Sequence, residues 1–490
     1  MWDATEPPSA PMPPSDAPVR LSPARRESPW VLCVGIVLFL CVLSLVWYRG
    51  NERSTGAPTM SAYVARLNTY IVESLAYWEA QGTVPVMPFT VHSQARQTAA
   101  LWEKLSVAYP DAPERALTQV NAAALYGVAG SAVDARRALA RAEALHPTQG
   151  PAIRALLPLY STPAKPITLS PDTESVLNRL STGPLIRARA REVAGDHAGA
   201  LRALAPGAKS GRRVMAFASS TFFLAFTVFL FAIITFAVKY AAIRAALHAA
   251  AQPAAVHLPW GIGTALIVIS LHHLCSFSIG GILYSLAGSS ARSMETALLF
   301  GVAGTILSAI LVLGVFLLFL GYRPWDWWVL GWQRTTRGMG YGLLTLLLIL
   351  PLFWLVSLLS GSLFDTERGT NPVIQTLLST RSVWMQVYLA LAAMVMAPLV
   401  EETFYRGLLF RALGERVPFW GAALLSGLLF ALAHGQLMAI LPITVLGTAF
   451  AFLTRHTGSL LASATAHGVY NGLVTIALLV LLWTLRGPGG

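Results

Sequence analysis

Long apolar stretches alternate with short polar ones over most of the chain. Apolar runs occupy Trp30 to Tyr48, 214–238, 260–287, 296–320, 338–360, 382–400, 419–434, 437–454 and 460–482. Most reach the roughly 20 residues that a helix needs to cross the hydrocarbon of a bilayer. The runs at 419–434 and 437–454 are short for a full span and meet at Gly435-Gln436. No ten-residue alternation of apolar and polar positions appears, so the spans are expected to be helices rather than barrel strands. The pattern predicts an all-α, polytopic membrane helix bundle of about eight or nine spans. One block departs from it. Residues 49–212 are polar, rich in Ala and Arg and without a spanning run, which predicts an extramembrane α-helical domain.

Division of the chain follows from these shifts. Residues 1–28, rich in Pro, Ser and Ala, read as a disordered tail. Residues 29–48, preceded by Arg25 and Arg26, read as an uncleaved signal-anchor helix, because the run is long and lacks a small-residue cleavage site. The 49–212 domain follows, then accessory membrane helices at 213–320 and a membrane core at 321–490. Within the domain, Ala122 to Gly130 followed by Ala135 to Leu145 and Pro147 has the logic of a helical hairpin, with Gly130 ending the first helix. Ala190 to Leu204 echo it around Gly195-Asp196. The pair resembles tetratricopeptide-type repeats, although three are usual for a stable stack, and an Ala-rich helical domain without a repeat code explains it equally. The resemblance implies a protein partner at this domain. His92, His146 and His197 are scattered there and read as surface histidines.

Composition sharpens the class. Hydrophobic residues make up 55% and charged residues 12% of the 490 positions, with a mean hydropathy of +0.58; a soluble chain carries about a quarter charged residues. The net charge of +12 is therefore a topology signal, and no nucleic-acid partner is expected. With the N-terminus inside, inner loops hold Lys239, Arg244, Arg323, Arg334, Arg337, Arg406, Arg411, Arg416 and Arg455, against Arg292, Arg368, Arg381 and Arg486 outside. The bias predicts a cytoplasmic N-terminus, a 49–212 domain on the periplasmic or extracellular side, and Glu401 near the cytoplasmic end of its helix. Trp325, Trp327, Trp328 and Trp332 fit an aromatic belt, Phe419 and Trp420 read as interface anchors, and Glu415-Arg416 as a loop pair. Cys33, Cys41 and Cys275 lie in apolar runs and form neither a disulfide framework nor a CxxC metal site.

Three polar groups in the C-terminal third carry candidate chemistry. Glu401-Glu402-Thr403-Phe404-Tyr405-Arg406 follows the apolar run ending at Val400. Charges at membrane depth are costly and usually functional. Glu402 and Arg406 are four apart and can pair on one helix face, whereas Glu401 points about 100° away. Pro398, lacking a backbone donor, loosens the helix just before them. Phe430 and His434 are four apart, as are His467 and Asn471, so Asn471 can orient His467. Taken singly, each reads best as an interfacial ion pair or a packing histidine. Together they call for one shared polar pocket. His272 and His273, on an earlier run, have no motif partner and are expected to pack or face a cavity.

The ordered set resembles the CPBP family of intramembrane proteases, which includes CAAX prenyl endopeptidases and bacteriocin-related immunity proteins. The family motifs EExxxR, FxxxH and HxxxN/D correspond to Glu401-Glu402…Arg406, Phe430…His434 and His467…Asn471, and the resemblance covers about residues 320–482. It implies an intramembrane endopeptidase that cuts a membrane protein or peptide within the lipid bilayer, while the signal anchor, the repeat-like domain and the high Ala and Arg content fit a bacterial inner membrane. Two variants stay open. In one, Glu401 and His434 activate a water, His467 and Asn471 stabilise the oxyanion, Glu402 is fixed by Arg406, and Phe430 contacts substrate. In the other, His434, His467 and Glu402 ligate a divalent metal such as zinc, as in a metalloprotease, although HExxH is lacking. A non-proteolytic membrane scaffold or immunity protein on the same fold, recruiting partners through the helical domain, is the alternative. Gly288-Ser289-Ser290-Ala291 misses the rhomboid-type GxSG, Gly261-Ile262-Gly263-Thr264 lacks the aspartate of GxGD, and no internal repeats point to a transporter.

Overall fold

A computed structural model of the chain describes residues 27–52, 60–82, 90–109, 111–250, 258–287, 293–323, 327–332, 336–363 and 372–486. The expected tail up to residue 26, Trp325, the loop residues Arg292, Arg334 and Arg368, and Gly288-Ser289-Ser290-Ala291 lie outside them. All regular structure among the described residues is helical. The chain divides into a membrane unit, residues 1–51 with 225–478, and a second unit, residues 52–224 with 479–490.

The second unit is built from α2 (Met60–Ala80), α3 (Val91–Ala108), α4 (Ala112–Val128), α5 (Ala132–Leu145), α6 (Gly150–Arg154), α7 (Pro171–Arg179), α8 (Gly183–Val193) and the start of α9 (His197–Ala250). Fully buried alanines, among them Ala116, Ala123, Ala135, Ala138 and Ala142, let these helices pack closely. The two hairpin turns read from the sequence share one hydrogen-bond pattern. Gly130 and Gly195 have positive φ, and the following N–H groups, of Ser131 and Asp196, donate to the carbonyls of Tyr126 and Arg191. Only glycine enters this left-handed conformation freely, so each turn falls where the sequence supplies one.

One group in this unit is out of place energetically. Glu73 on α2 is fully buried, and neither carboxylate oxygen has a hydrogen-bond partner among the described residues. It lies directly against Gly207 at the start of α9, where any side chain would collide with it. Burial pushes its carboxyl from 4.5 up to about 8.

In the membrane unit, α1 (Pro29–Glu52) is followed by α9 from residue 225, α10 (Ile262–Leu286), α11 (Met294–Phe319), α12 (Thr336–Leu363), α13 (Pro372–Ser379), α14 (Val383–Gly414), α15 (Phe419–Leu432), α16 (Ile440–Thr457) and α17 (Leu460–Arg486). Among the described residues, eight helices are long and apolar enough to cross a membrane, and α15 is a shorter apolar helix. This is an integral, multi-pass membrane protein. Small residues set the crossings, as expected where lipid removes the hydrophobic drive for helix association. Gly35 of α1 backs onto Gly263 of α10, and Gly280 of α10 onto Gly304 of α11, where Ser276 and Thr305 hydroxyls bond at 2.8 Å. Glu27 caps α10 by accepting from the N–H groups of Gly263 and Thr264. The expected anchor helix is thus a packed member of the bundle, and its Phe39 and Leu43 belong to the central core.

Several expectations change here. Glu401 does not lie near the end of its helix, because α14 runs on to Gly414 with Thr403–Phe410 entirely buried. The polar hexapeptide is folded inward, so its charge does not terminate the span. Phe419 is core rather than interface, edge-on to Phe410, while Trp420 is exposed. Trp332 turns inward to donate to the Thr403 hydroxyl. Glu415 accepts from the Leu258 N–H instead of pairing in its loop.

The raised carboxyl of Glu73 fixes a sign. Between pH about 4.5 and about 8 the unfolded chain loses this proton and the folded one keeps it, so stability falls as pH rises. Glu73→Gln should abolish that slope. In amide exchange of the full chain, α2 protection should match wild type at pH 4.5 and exceed it at pH 8.

Candidate functional site

The site is organised by irregular backbone in α14. The helix is π-helical over Ala392–Met396, α-helical over Ala397–Glu402 and π-helical again over Thr403–Phe410. π segments within α-helices concentrate at functional sites. In i→i+5 bonding the N–H of Ala397 serves the carbonyl of Ala392. The next carbonyl, Ala393, would then look to residue 398, which is proline and has no N–H. Asn471 of α17 supplies the missing donor, its Nδ2 lying 2.8 Å from the Ala393 oxygen. Gly468, one turn earlier on α17, backs onto the Met394 carbonyl with no room for a side chain. Asn471 therefore braces the helix carrying both glutamates; its expected role in orienting His467 is replaced by this bond.

Glu402 and Arg406 pair as their spacing predicts, with Nη1 3.2 Å from Oε1 and both side chains at 0% exposure. No acceptor with hydrogen-bond geometry meets the guanidinium among the described residues. Aromatic faces complete its surroundings: its central carbon stands 4.3 Å from the Phe430 ring centre and 5.4 Å from that of Phe450. Room for it comes from Gly447 of α16. A side-chain carbon there would sit 2.7 Å from the Gly427 Cα of α15 and 2.9 Å from Nη2 of Arg406.

His467 links the two carboxylates. Its Nδ1 lies 3.1 Å from Oε1 of Glu402 and donates to it, while Nε2 lies 3.6 Å from Oε2 of Glu401. The imidazole is held flat against Phe450, with ring centres 5.1 Å apart. The four polar side chains differ in access. Glu402 and Arg406 are sealed and His467 is 6% exposed, but Glu401 is 29% exposed. Glu401 is the more accessible of the two acids, although its Oε2, beside His467, is buried and has no hydrogen-bond partner among the described residues.

His434 completes the set from the other side of Phe430. It lies in the turn beyond α15, with its ring 4.7 Å from that of Phe430, and its Nδ1 donates to the Phe430 carbonyl at 2.8 Å. That bond fixes the tautomer of the neutral ring and leaves Nε2 as the free acceptor. Phe430 also stands edge-on to His467 at 5.8 Å. At 2% exposure it is the hub between the two imidazoles and the guanidinium, rather than a face offered to substrate. At 14 residues, α15 is about 21 Å long, so its turn stops short of the roughly 30 Å hydrocarbon thickness. Backbone ending at that depth must be covered by protein. Trp47 of α1 does this, donating its indole N–H to the Leu432 carbonyl at 3.1 Å, with Val46 against Gly435.

Glu401, Glu402, Arg406, Phe430 and His467 are thus gathered into one centre that His434 joins through Phe430, while Asn471 serves the backbone. The sequence reading did not single out Phe450 or Trp47; the small residues at 427 and 447 were the available hint of a close crossing. Among the described residues, no group of three or more His, Cys, Asp or Glu side chains is arranged to hold a metal ion. Glu402, enclosed by Arg406 and His467, does not fit the role of a ligand.

A polytopic helical membrane protein with a buried Glu–Arg–His centre is the class that fold and site define. Residues 383–473 match the family described as Type II CAAX prenyl endopeptidase Rce1-like. The "Putative membrane peptidase YdiL" of Bacillus subtilis (strain 168) is 34% identical over 82 residues, 17% of this chain and 34% of that protein. No solved structure matches. The matched segment contains all three motifs through which the sequence resembles the CPBP family; the chain spans about a third of the length of the curated relative.

Unequal burial predicts unequal costs. Arg406→Ala should leave the buried Glu402 carboxylate without its guanidinium, held by His467 alone, and lower stability by about 3–5 kcal/mol. Gly447→Ala should cost about 1–3 kcal/mol through overpacking. Glu401→Gln should stay within about 1 kcal/mol of wild type. Thermal unfolding of the three purified variants in one detergent checks the order.

Proposed function

We propose that the chain is an intramembrane endopeptidase that hydrolyses a peptide bond of a membrane-associated protein or peptide. The observation that carries this reading is the inequality of the two adjacent carboxylates: Glu402 is locked by Arg406 and His467, whereas Glu401, beside the same imidazole, stays accessible. A carboxylate free of structural duty at membrane depth is available as a base. Glu401 takes a proton from water, and the free Nε2 of His434 accepts the water's second hydrogen bond. The hydroxide adds to the scissile carbonyl. With its Nδ1 hydrogen held by Glu402, His467 donates to the oxyanion through Nε2–H as the imidazolium, and the remaining amide hydrogen of Asn471 is the second donor. Collapse breaks the C–N bond, and Glu401 returns its proton to the leaving amine. Glu402 and Arg406 hold His467 and the helix in place.

Localisation belongs to the same proposal. The arginine bias of the short loops favours a cytoplasmic N-terminus in a bacterial inner membrane, with the 49–212 domain on the far side, where it could take a protein partner. Substrate lipidation stays open, and prenylated and unmodified peptides are both to be offered.

Proteoliposomes carrying the full chain and membrane-anchored fluorogenic peptides test the reading. Glu401→Gln should lower kcat by about 10²–10⁴-fold at unchanged abundance, and a zinc chelator should leave wild-type turnover intact. Wild-type turnover in Glu401→Gln would overturn the proposal and favour a scaffold. Loss of turnover to chelator, restored by zinc, would overturn the metal-free mechanism.

A further inference from the structure

Phe450 of α16 belongs to none of the three motifs, yet its ring adjoins two basic groups of the centre. The side chain is among the largest that are fully buried, at 1% exposure. Its face stacks on the His467 imidazole, with ring centres 5.1 Å apart and planes 23° from parallel. The guanidinium carbon of Arg406 stands 5.4 Å from the same ring centre. Gly447, which makes room for that guanidinium, stands one turn before Phe450 on α16 and so shares its face. One face of α16 is thus given over to Arg406 and His467.

His467 needs such support because its hydrogen bonding holds only one edge of the ring. Nδ1 is bound to Glu402 at 3.1 Å. On the opposite edge, Nε2 and Oε2 of Glu401 are 3.6 Å apart, and that oxygen has no hydrogen-bond partner among the described residues. The edge that meets Glu401 is therefore not fixed by a hydrogen bond. Phe430 stands edge-on to the imidazole, with planes 82° apart, and offers it no parallel face. The nearly parallel face is that of Phe450. An aliphatic side chain of similar volume would fill the space, but it would present neither a plane to stack on nor a π face to a cation.

We propose that Phe450 is a positioning residue of the hydrolytic site, setting the plane of the His467 imidazole so that Nε2 stays aimed at Glu401 and the oxyanion. The stack takes up the tilt that the single bond to Glu402 leaves free. Its π face also attracts the charge that His467 carries as a donor. The catalytic consequence rests on the peptidase reading; the hold on the imidazole does not.

The test uses the full chain with Phe450→Leu, Phe450→Tyr and, as a packing control, Leu453→Ala. Leu453 lies one turn further along α16 in the same buried cluster. Because a misplacement of about 1 Å can cost about 10²-fold, Phe450→Leu should lower kcat by about 10–100-fold with KM within about twofold. Phe450→Tyr, which keeps the ring, should recover most of that loss. Leu453→Ala opens a cavity and should lower the thermal midpoint at least as far as Phe450→Leu, yet keep wild-type kcat. A packing role would instead make turnover follow the midpoint. Independently of turnover, ring-nitrogen NMR of 15N-histidine protein should show the Nδ1 proton of His467 exchanging faster with water in Phe450→Leu, but not in Leu453→Ala. His467→Gln supplies the assignment. Wild-type exchange in Phe450→Leu overturns the proposal even if no peptide is cut. Wild-type kcat in Phe450→Leu, alongside a dead Glu401→Gln, overturns it while leaving the peptidase reading standing.

Discussion

A guanidinium sealed inside a membrane protein is the constraint around which this structure is arranged. Arg406 has no exposed surface, and its charge is met by one carboxylate at 3.2 Å and two aromatic faces. Taking such a charge out of water costs several kcal/mol unless its surroundings repay it. Each repayment recruits a different element. Glu402 comes from the same helix, Phe430 from α15, Phe450 from α16, and the space from the glycine crossing of α15 and α16. His467 of α17 then closes the circuit on Glu402. Four helices are fixed by the needs of one side chain, and what they leave over is an accessible acid, Glu401.

The second constraint is backbone. A π segment followed by proline frees a carbonyl, and a free carbonyl at membrane depth must find a donor. Asn471 answers this at Ala393, and Trp47 adds a second donor to the Leu432 carbonyl, which the Gly435 N–H already serves. Both side chains hold catalytic candidates indirectly, through the segments that carry Glu401 and His434.

Much of this was legible in the sequence because it depends on local spacing. The Glu402–Arg406 pair, the Phe430–His434 contact and the glycine-ended turns of the second unit all lie within one helical turn of themselves, where periodicity is a sound guide. What could not be read depends on partners far along the chain. Pro398 was a visible irregularity, but nothing nearby indicates that its consequence is answered by Asn471, on another helix. The length of α14 was misjudged for a related reason: a charged hexapeptide looks like the end of a span until the groups that bury it are known. Phe419, Trp332 and Glu415 were likewise assigned to surface roles by their type, whereas packing against distant residues decided otherwise.

The contact between Trp47 and Leu432 bears on how the molecule is made. The two residues are separated by 385 positions, so the indole enters the membrane long before its acceptor is synthesised. Until α15 arrives, the first helix has no turn to cover, and until the first helix docks, the turn beside His434 keeps only its own backbone bond, from the Gly435 N–H to the Leu432 carbonyl. The reactive end of α15 is therefore completed only when the oldest and among the newest parts of the chain meet. Loss of the first helix would release a bundle that retains every motif residue but lacks the roof over one of them.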